Sequence, residues 1–105
     1  MNTVAHYFLL YVDSPATSAN FYSRLLDKPP VELNPTFALF ILDNGVKLGL
    51  WSRHTVQPAA RFTGGGGEVG VSLANQAAVD ALHDQWVERG ATIIQSPTTL
   101  DFGYT

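Results

Sequence analysis

Cysteine is absent from the 105 residues, and charged side chains are scarce, at 14% of the composition. Without cysteine the protein has no disulfide, no thiolate metal site and no cysteine nucleophile. The six Lys and Arg residues are outnumbered by nine Asp and Glu residues and form no cluster. Such scattered cations do not neutralise a run of phosphates, so the sequence predicts no nucleic-acid partner.

Long hydrophobic runs are also missing, because no apolar stretch approaches the roughly 20 residues of a membrane span. Residues 1–6 carry neither a basic segment nor an A-x-A-like cleavage site. We therefore expect a cytoplasmic protein without membrane contact. A chain of this length buries roughly two thirds of its unfolded surface and supports one core, which predicts a single domain over residues 1–105.

The first half of the chain carries a strand signal followed by a helix signal. Residues 4–12 are apolar and aromatic over the length of a strand. Ser14 then stands at a helix N-cap and Pro15 at the first helical position, where a missing N–H costs nothing. The helix is predicted over residues 15–26, with one apolar stripe formed by Phe21, Tyr22, Leu25 and Leu26.

Three short strands are predicted after the helix, at residues 31–34, 37–42 and 46–51. The last two are joined by Asp-Asn-Gly at residues 43–45, a tight hairpin turn. Residues 4–51 thus form a first βαβββ module. Residues 52–67 have no periodicity and end in four glycines, which predicts a Gly-rich linker.

The pattern returns after the linker. Residues 68–73 are predicted as a strand, Asn75 as a helix cap, and residues 92–95 as another strand. Aligning residues 12–14 with residues 73–75 gives an offset of 61 residues, from 12 to 73, and indicates a repeated module. By this offset Thr105 corresponds to Asn44. The second module, residues 68–105, is therefore expected to lack its last strand in this chain.

These residues resemble a known family. The motif is Tyr11-Val12-Asp13-x4-Ser18-x2-Phe21-Tyr22-x2-Leu25-Leu26, followed by residues 36–40 and the tandem repeat. It resembles the vicinal oxygen chelate superfamily of glyoxalases, bleomycin-resistance proteins and extradiol dioxygenases. Residues 48–52 and 101–105 are similar to its antibiotic-binding branch, particularly to phenazine-resistance-type proteins.

The resemblance implies an α+β fold in which tandem βαβββ modules form an open, cup-shaped sheet around a ligand. It also implies a homodimer, with or without exchange of a strand or module. Enzymes of the superfamily hold a divalent metal ion at four positions, one on the first and one on the last strand of each module. Mapped onto this chain, those positions fall on His6 or Tyr7, on Gly49, near Glu68, and beyond Thr105.

Glycine offers no ligand, so at most two protein ligands remain where a catalytic site needs about three. We therefore expect no metal ion and no other cofactor. His6 and Glu68 are the candidate ligands for the alternative, a divalent metal such as Zn, Ni, Mn or Fe. Each also fits a polar residue at a strand end, and His54, His83 and Asp101 have no spacing that suggests a further ligand set.

Trp51 is the leading candidate for ligand binding, because an indole offers a flat face and one N–H donor. Arg53 beside it is a candidate partner for a ligand carboxylate. The candidate stacking partners opposite Trp51 are Tyr7, Phe40, Phe102 and Tyr104. Strand alternation puts His6 and Tyr7 on opposite faces, and the sequence leaves open which of them lines the cup.

The favoured function is metal-independent binding and sequestration of a small planar aromatic compound, such as an antibiotic. One alternative is a metal-dependent glyoxalase-like lyase or dioxygenase-like enzyme of the same superfamily. Another is a non-catalytic structural or regulatory dimer whose cup is filled by side chains. That last alternative predicts no cavity of roughly 300 Å³ or more.

Overall fold

The computed structural model of the protein describes residues 3–105. It contains two compact units, of which the first ends at Gly67 and the second spans Glu68–Thr105. Neither helix in the described part of the chain has the length and hydropathy needed to cross a membrane. The fold is α+β with an open sheet.

The first unit is a βαβββ module. Its elements are β1 (Tyr7–Val12), α1 (Pro15–Leu26), β2 (Glu32–Asn34), β3 (Phe37–Ile41) and β4 (Lys47–Ser52). Their sheet order is β1-β4-β3-β2, with β1 parallel to β4 and the other pairs antiparallel. The predicted helix and the four predicted strands of this unit are confirmed, with strand ends that differ by at most three residues.

Helix α1 begins and ends as its local sequence requires. The Ser14 side chain accepts a hydrogen bond from the Thr17 backbone N–H at 3.3 Å, and Pro15 is the first helical residue. At the other end Asp27 takes a left-handed conformation with φ 53°. Its backbone N–H bonds back to the carbonyl of Ser23, which closes the last turn.

The core of the first unit lies between α1 and one face of the sheet. It consists of Ala19 from the helix with Ala38, Phe40, Leu48 and Leu50 from the two central strands. Leu10, Val12, Tyr22 and Leu26 pack against these residues. Because side chains alternate along a strand, the remaining residues of β1, β3 and β4 point to the opposite face, which no helix of this unit covers.

The second unit contains helix α2 (Gln76–Glu88) and a hairpin of β5 (Thr99–Leu100) and β6 (Gly103–Tyr104). The Asn75 side chain caps α2 by accepting from the Ala78 backbone N–H at 2.9 Å, as predicted. The strands predicted at residues 68–73 and 92–95 are wrong, since neither segment pairs in a sheet.

Strand pairing in the first unit explains why residues 68–73 do not form a strand. Among the described residues of that unit β1 pairs only with β4, so a first strand obtains its backbone partners from a fourth strand. The described part of the second unit holds no fourth strand, and residues 68–73 accordingly remain without ladder hydrogen bonds.

The connection from helix to hairpin is longer in the second unit than in the first. Two-residue turns separate β2 from β3 and β5 from β6, and matching them gives an offset of 66 residues, from Phe37 to Gly103. The expected correspondence of Thr105 with Asn44 is therefore wrong, since Thr105 aligns with Leu39 inside β3.

Candidate functional site

The helix-free side of the first sheet, called here the open face, is apolar and aromatic. Residues that are paired across neighbouring strands share a face, so the register defines its members. They are Tyr7, Leu9 and Tyr11 of β1, Phe37, Leu39 and Ile41 of β3, and Lys47, Gly49 and Trp51 of β4. Tyr7, Leu9 and Tyr11 are each at least 40% exposed, which makes this face accessible within its unit.

Three aromatic side chains form a row across one end of the open face. Trp51 is paired with Tyr11 on one side and with Phe37 on the other. Its ring centroid lies 6.5 Å from that of Tyr11 and 6.4 Å from that of Phe37, with interplanar angles of 85° and 89°. Both contacts are edge-to-face pairs, a geometry that stabilises aromatic side chains in fixed orientations. The row therefore offers a pre-arranged aromatic surface.

Gly49 lies at the centre of the open face, and a side chain at this position would require Leu9 to move. A Cβ atom at this position would meet Leu9 Cδ2 at 2.5 Å and Phe37 Cζ at 3.0 Å. The side chains of Leu9 and Phe37 thus occupy the space that a side chain at position 49 would need. This arrangement leaves no room for a carboxylate at position 49 without displacing Leu9.

Lys47 occupies the end of β4 opposite to Trp51. Its ammonium group lies 5.6 Å from the centroid of the Tyr7 ring, within the range of a cation–π contact. Tyr7 is therefore on the open face. By strand alternation the preceding residue, His6, points to the other side, and its Nδ1 lies 3.1 Å from the Val4 carbonyl oxygen.

Arg53 follows β4 and is held in an ion pair. Its NH2 group donates to Asp13 Oδ1 at 3.0 Å, and the same oxygen lies 2.7 Å from His54 Nε2. The other guanidinium nitrogen lies 3.5 Å from the Thr63 hydroxyl. The hydrogen bond from His54, followed by the positive charge of Arg53, holds the pKa of Asp13 below its ordinary value of 3.8.

The depressed pKa of Asp13 has a measurable consequence. A lowered pKa in the folded state means that the stabilisation by the ionised carboxylate is complete above pH 3.8 and is lost as pH falls through the folded value. His54→Ala removes the largest cause, so we expect the pKa of Asp13 to rise toward 3.8 in an NMR titration of its carboxyl carbon. His83→Ala, whose imidazole contacts Asp84 instead, should leave it unchanged. If the pKa of Asp13 is the same in His54→Ala as in the unmodified protein, this assignment is wrong.

The other predicted site residues are distributed over both units. Phe40 is completely buried beneath α1, so its proposed role as a stacking partner is corrected: it is a core residue. Phe102 is 82% exposed in the second unit. Tyr104 donates its hydroxyl to Asp80 at 2.6 Å, and this bond raises the pKa of the phenol. Glu68 begins the second unit, whereas His6 belongs to the first.

A cavity of about 540 Å³ lies within the second unit. Val79, Leu82 and Trp86 of α2 line it together with residues 68–73 and both aromatic residues of the hairpin region. The indole N–H of Trp86 is buried and has no hydrogen-bond partner among the described residues. In the first unit the volume beneath the helix is filled by Leu48 and Leu50 of β4.

Among the aromatic and charged residues of the open face, sequence reasoning missed three, namely Tyr11, Phe37 and Lys47. The sequence contains a signal that places each of these residues on the open face. The Asn-Gly turn at residues 44–45 fixes the β3–β4 register, which opposes Phe37 to Trp51. Alternation from Trp51 places Lys47 on the same face, and alternation from Tyr7 does the same for Tyr11.

A family model described as the glyoxalase/bleomycin resistance protein/dioxygenase superfamily matches residues 3–105. The chain belongs to this superfamily. Its similarity to the solution NMR structure of an Agrobacterium tumefaciens protein is high, at 50% identity and a TM-score of 0.85 over 98% of this chain and 84% of that one.

Two other relatives extend the comparison. This chain is 28% identical over 102 residues to the phenazine antibiotic resistance protein EhpR of Enterobacter agglomerans. The match covers 92% of this chain and 76% of that protein. The chain also shares the fold of a glyoxalase/bleomycin resistance protein/dioxygenase from Nocardioides, at 24% identity and a TM-score of 0.78, over 96% of this chain and 71% of that one.

The metal site of the superfamily's enzymes does not fit the residues of this member. Leu9 and Phe37 occupy the space beside Gly49, where the carboxylate ligand would stand. Within residues 3–105 no group of three or more His, Cys, Asp or Glu side chains is placed to hold a metal ion.

Proposed function

We propose that the protein binds and sequesters a small planar aromatic compound on the open face of its first unit, without a metal ion and without making or breaking a bond. The observation that carries this proposal is the row of Tyr11, Trp51 and Phe37. Three aromatic rings fixed edge-to-face on an accessible sheet surface are suited to contact a flat π-system.

The energetics are adequate for such binding. Each well-placed aromatic pair contributes about 0.5–1.5 kcal/mol beyond the burial of apolar area, which contributes about 25 cal/mol per Å². A tricyclic ligand that covers Trp51 and part of Phe37 can therefore approach about −8 kcal/mol, which corresponds to a micromolar Kd. The surface is already formed, so little ordering opposes binding.

The similarity to a phenazine antibiotic resistance protein supports an aromatic antibiotic as the ligand. Binding of this kind protects a cell stoichiometrically, because each bound molecule needs one site. The crowding of Leu9 and Phe37 beside Gly49 supports the metal independence of the proposal. Homodimer formation and a cytoplasmic location stay predictions alongside it.

The proposal is tested by titrating phenazine into the protein while tryptophan fluorescence is followed. Trp51 and Trp86 are its two indoles, so the experiment uses a Trp86→Phe background in which Trp51 is the single reporter. We expect saturable quenching with a micromolar Kd. The same Kd is expected after treatment with EDTA and after addition of Zn²⁺ or Mn²⁺.

Two outcomes contradict the proposal. Absence of saturable quenching, together with no heat of binding in calorimetry, removes the aromatic-binding function. Quenching that disappears with EDTA and returns with Zn²⁺ or Mn²⁺ instead assigns the site a metal and favours the enzyme alternative.

A further inference from the structure

We infer that the ligand is a planar aromatic acid whose anionic group pairs with Lys47. This inference rests on the proposed function, since it names the chemical class of the compound that lies on the open face. It concerns the end of β4 that is opposite to Trp51, a position with a positive charge on an otherwise apolar and aromatic surface.

Lys47 is the one cation among the strand residues of the open face within residues 3–105. Its ammonium group is held over the Tyr7 ring at 5.6 Å, and no Asp or Glu in the described chain forms an ion pair with it. A cation–π contact leaves the ammonium donors on the side away from the ring available to an incoming anion. The charge is therefore oriented without being neutralised.

The spacing of β4 connects the charge to the aromatic row. Lys47, Gly49 and Trp51 lie on the same face at two-residue steps, so the first and the last are separated by roughly 13 Å along the strand. Gly49 places no side chain between them. Leu9 and Phe37 cover this position instead, so a ring system in contact with Trp51 can extend across their apolar side chains toward the flexible stem of Lys47.

The other charged residues near the open face also favour a ligand whose acid group points toward Lys47. Arg53 is already paired with Asp13, so its charge is compensated. Glu32 is paired in register with Leu39 and therefore stands on the open-face side of the outer strand β2. Its carboxylate repels an acid group at that edge, whereas Lys47 at the end of β4 attracts one. The charges of Lys47 and Glu32 thus favour an acidic ligand and direct its acid group toward the Lys47 end of β4.

The test compares phenazine with phenazine-1-carboxylate, two probes that share a ring system and differ by one acid group. For the unmodified protein we expect the acid to bind about three- to tenfold more tightly than the neutral compound at low salt, as a charge-assisted contact at a partly exposed site should. The ratio should approach one at 1 M salt, where the Debye length is about 3 Å.

The substitution Lys47→Met is expected to abolish the preference for the acid while leaving the Kd of phenazine within about twofold. Lys47→Arg should retain the preference. Arg61→Met, which changes net charge equally in an exposed loop, is the matched control and should also retain it.

A preference that survives Lys47→Met overturns the inference, and a preference lost with Arg53→Ala instead transfers the role to Arg53. Equal binding of acid and neutral compound by the unmodified protein also overturns it, while leaving the proposed function intact. Failure of both probes to bind overturns the proposed function and this inference with it.

Discussion

Trp51→Ala is expected to weaken phenazine binding by about 30- to 150-fold. The indole is the middle ring of the aromatic row and contacts both Tyr11 and Phe37 edge-to-face. Its loss removes the apolar area that a flat ligand would cover and one aromatic contact, together about 2–3 kcal/mol. Calorimetry is the suitable measurement, because this variant lacks the fluorescent reporter.

The matched variants separate binding from folding. Trp51→Phe keeps a ring in the row and should lose less affinity than Trp51→Ala. Trp86→Ala lies in the second unit and should leave the Kd unchanged. A cooperative thermal transition by circular dichroism verifies that Trp51→Ala is folded. If folded Trp51→Ala binds phenazine with the original Kd, the aromatic row is not the site.

The fold of the first unit could be predicted from sequence because each of its signals is local. Ser14 and Pro15 specify the start of α1, and the Asn-Gly turn specifies the β3–β4 hairpin. The errors in the second unit arise from non-local pairing. Residues 68–73 have the composition of a strand, but a strand requires a neighbour to satisfy its backbone, and composition does not reveal whether that neighbour is present.

The site was predicted less completely than the fold, for a related reason. Trp51 could be singled out as a large aromatic residue at a strand end, but its neighbours depend on register between strands that are distant in sequence. Phe40 is also aromatic, but it lies three residues after Phe37 on the same strand and therefore points to the opposite face, into the core. Face assignment, rather than residue type, decides which aromatic residues can reach a ligand.

Gly49 links the fold to the function. A small residue in the central strand lets Leu9 and Phe37 close over the middle of the open face. Glycine also offers no metal ligand at the position where the resemblance to the superfamily's enzymes implies a carboxylate. The apolar surface at this position supports the proposed binding without a metal ion.

The two units should differ strongly in their response to the same core substitution. Leu50 is fully buried between α1 and the sheet, and Leu50→Ala is expected to lower the free energy of unfolding by about 2–5 kcal/mol. Leu82 is half-buried and lines the 540 Å³ cavity of the second unit. Leu82→Ala removes fewer packing contacts and should cost about 1 kcal/mol or less.

Urea denaturation followed by far-ultraviolet circular dichroism measures both effects, with Leu33→Ala as a control because that leucine is 54% exposed. Domains of this size have total stabilities of about 5–15 kcal/mol, so Leu50→Ala alone removes a large fraction. A Leu82→Ala cost equal to that of Leu50→Ala would mean that α2 is packed as tightly as α1. We expect the larger cost for Leu50→Ala because Leu48 and Leu50 of β4 fill the space beneath α1. In the second unit, by contrast, Leu82 of α2 lines an open cavity.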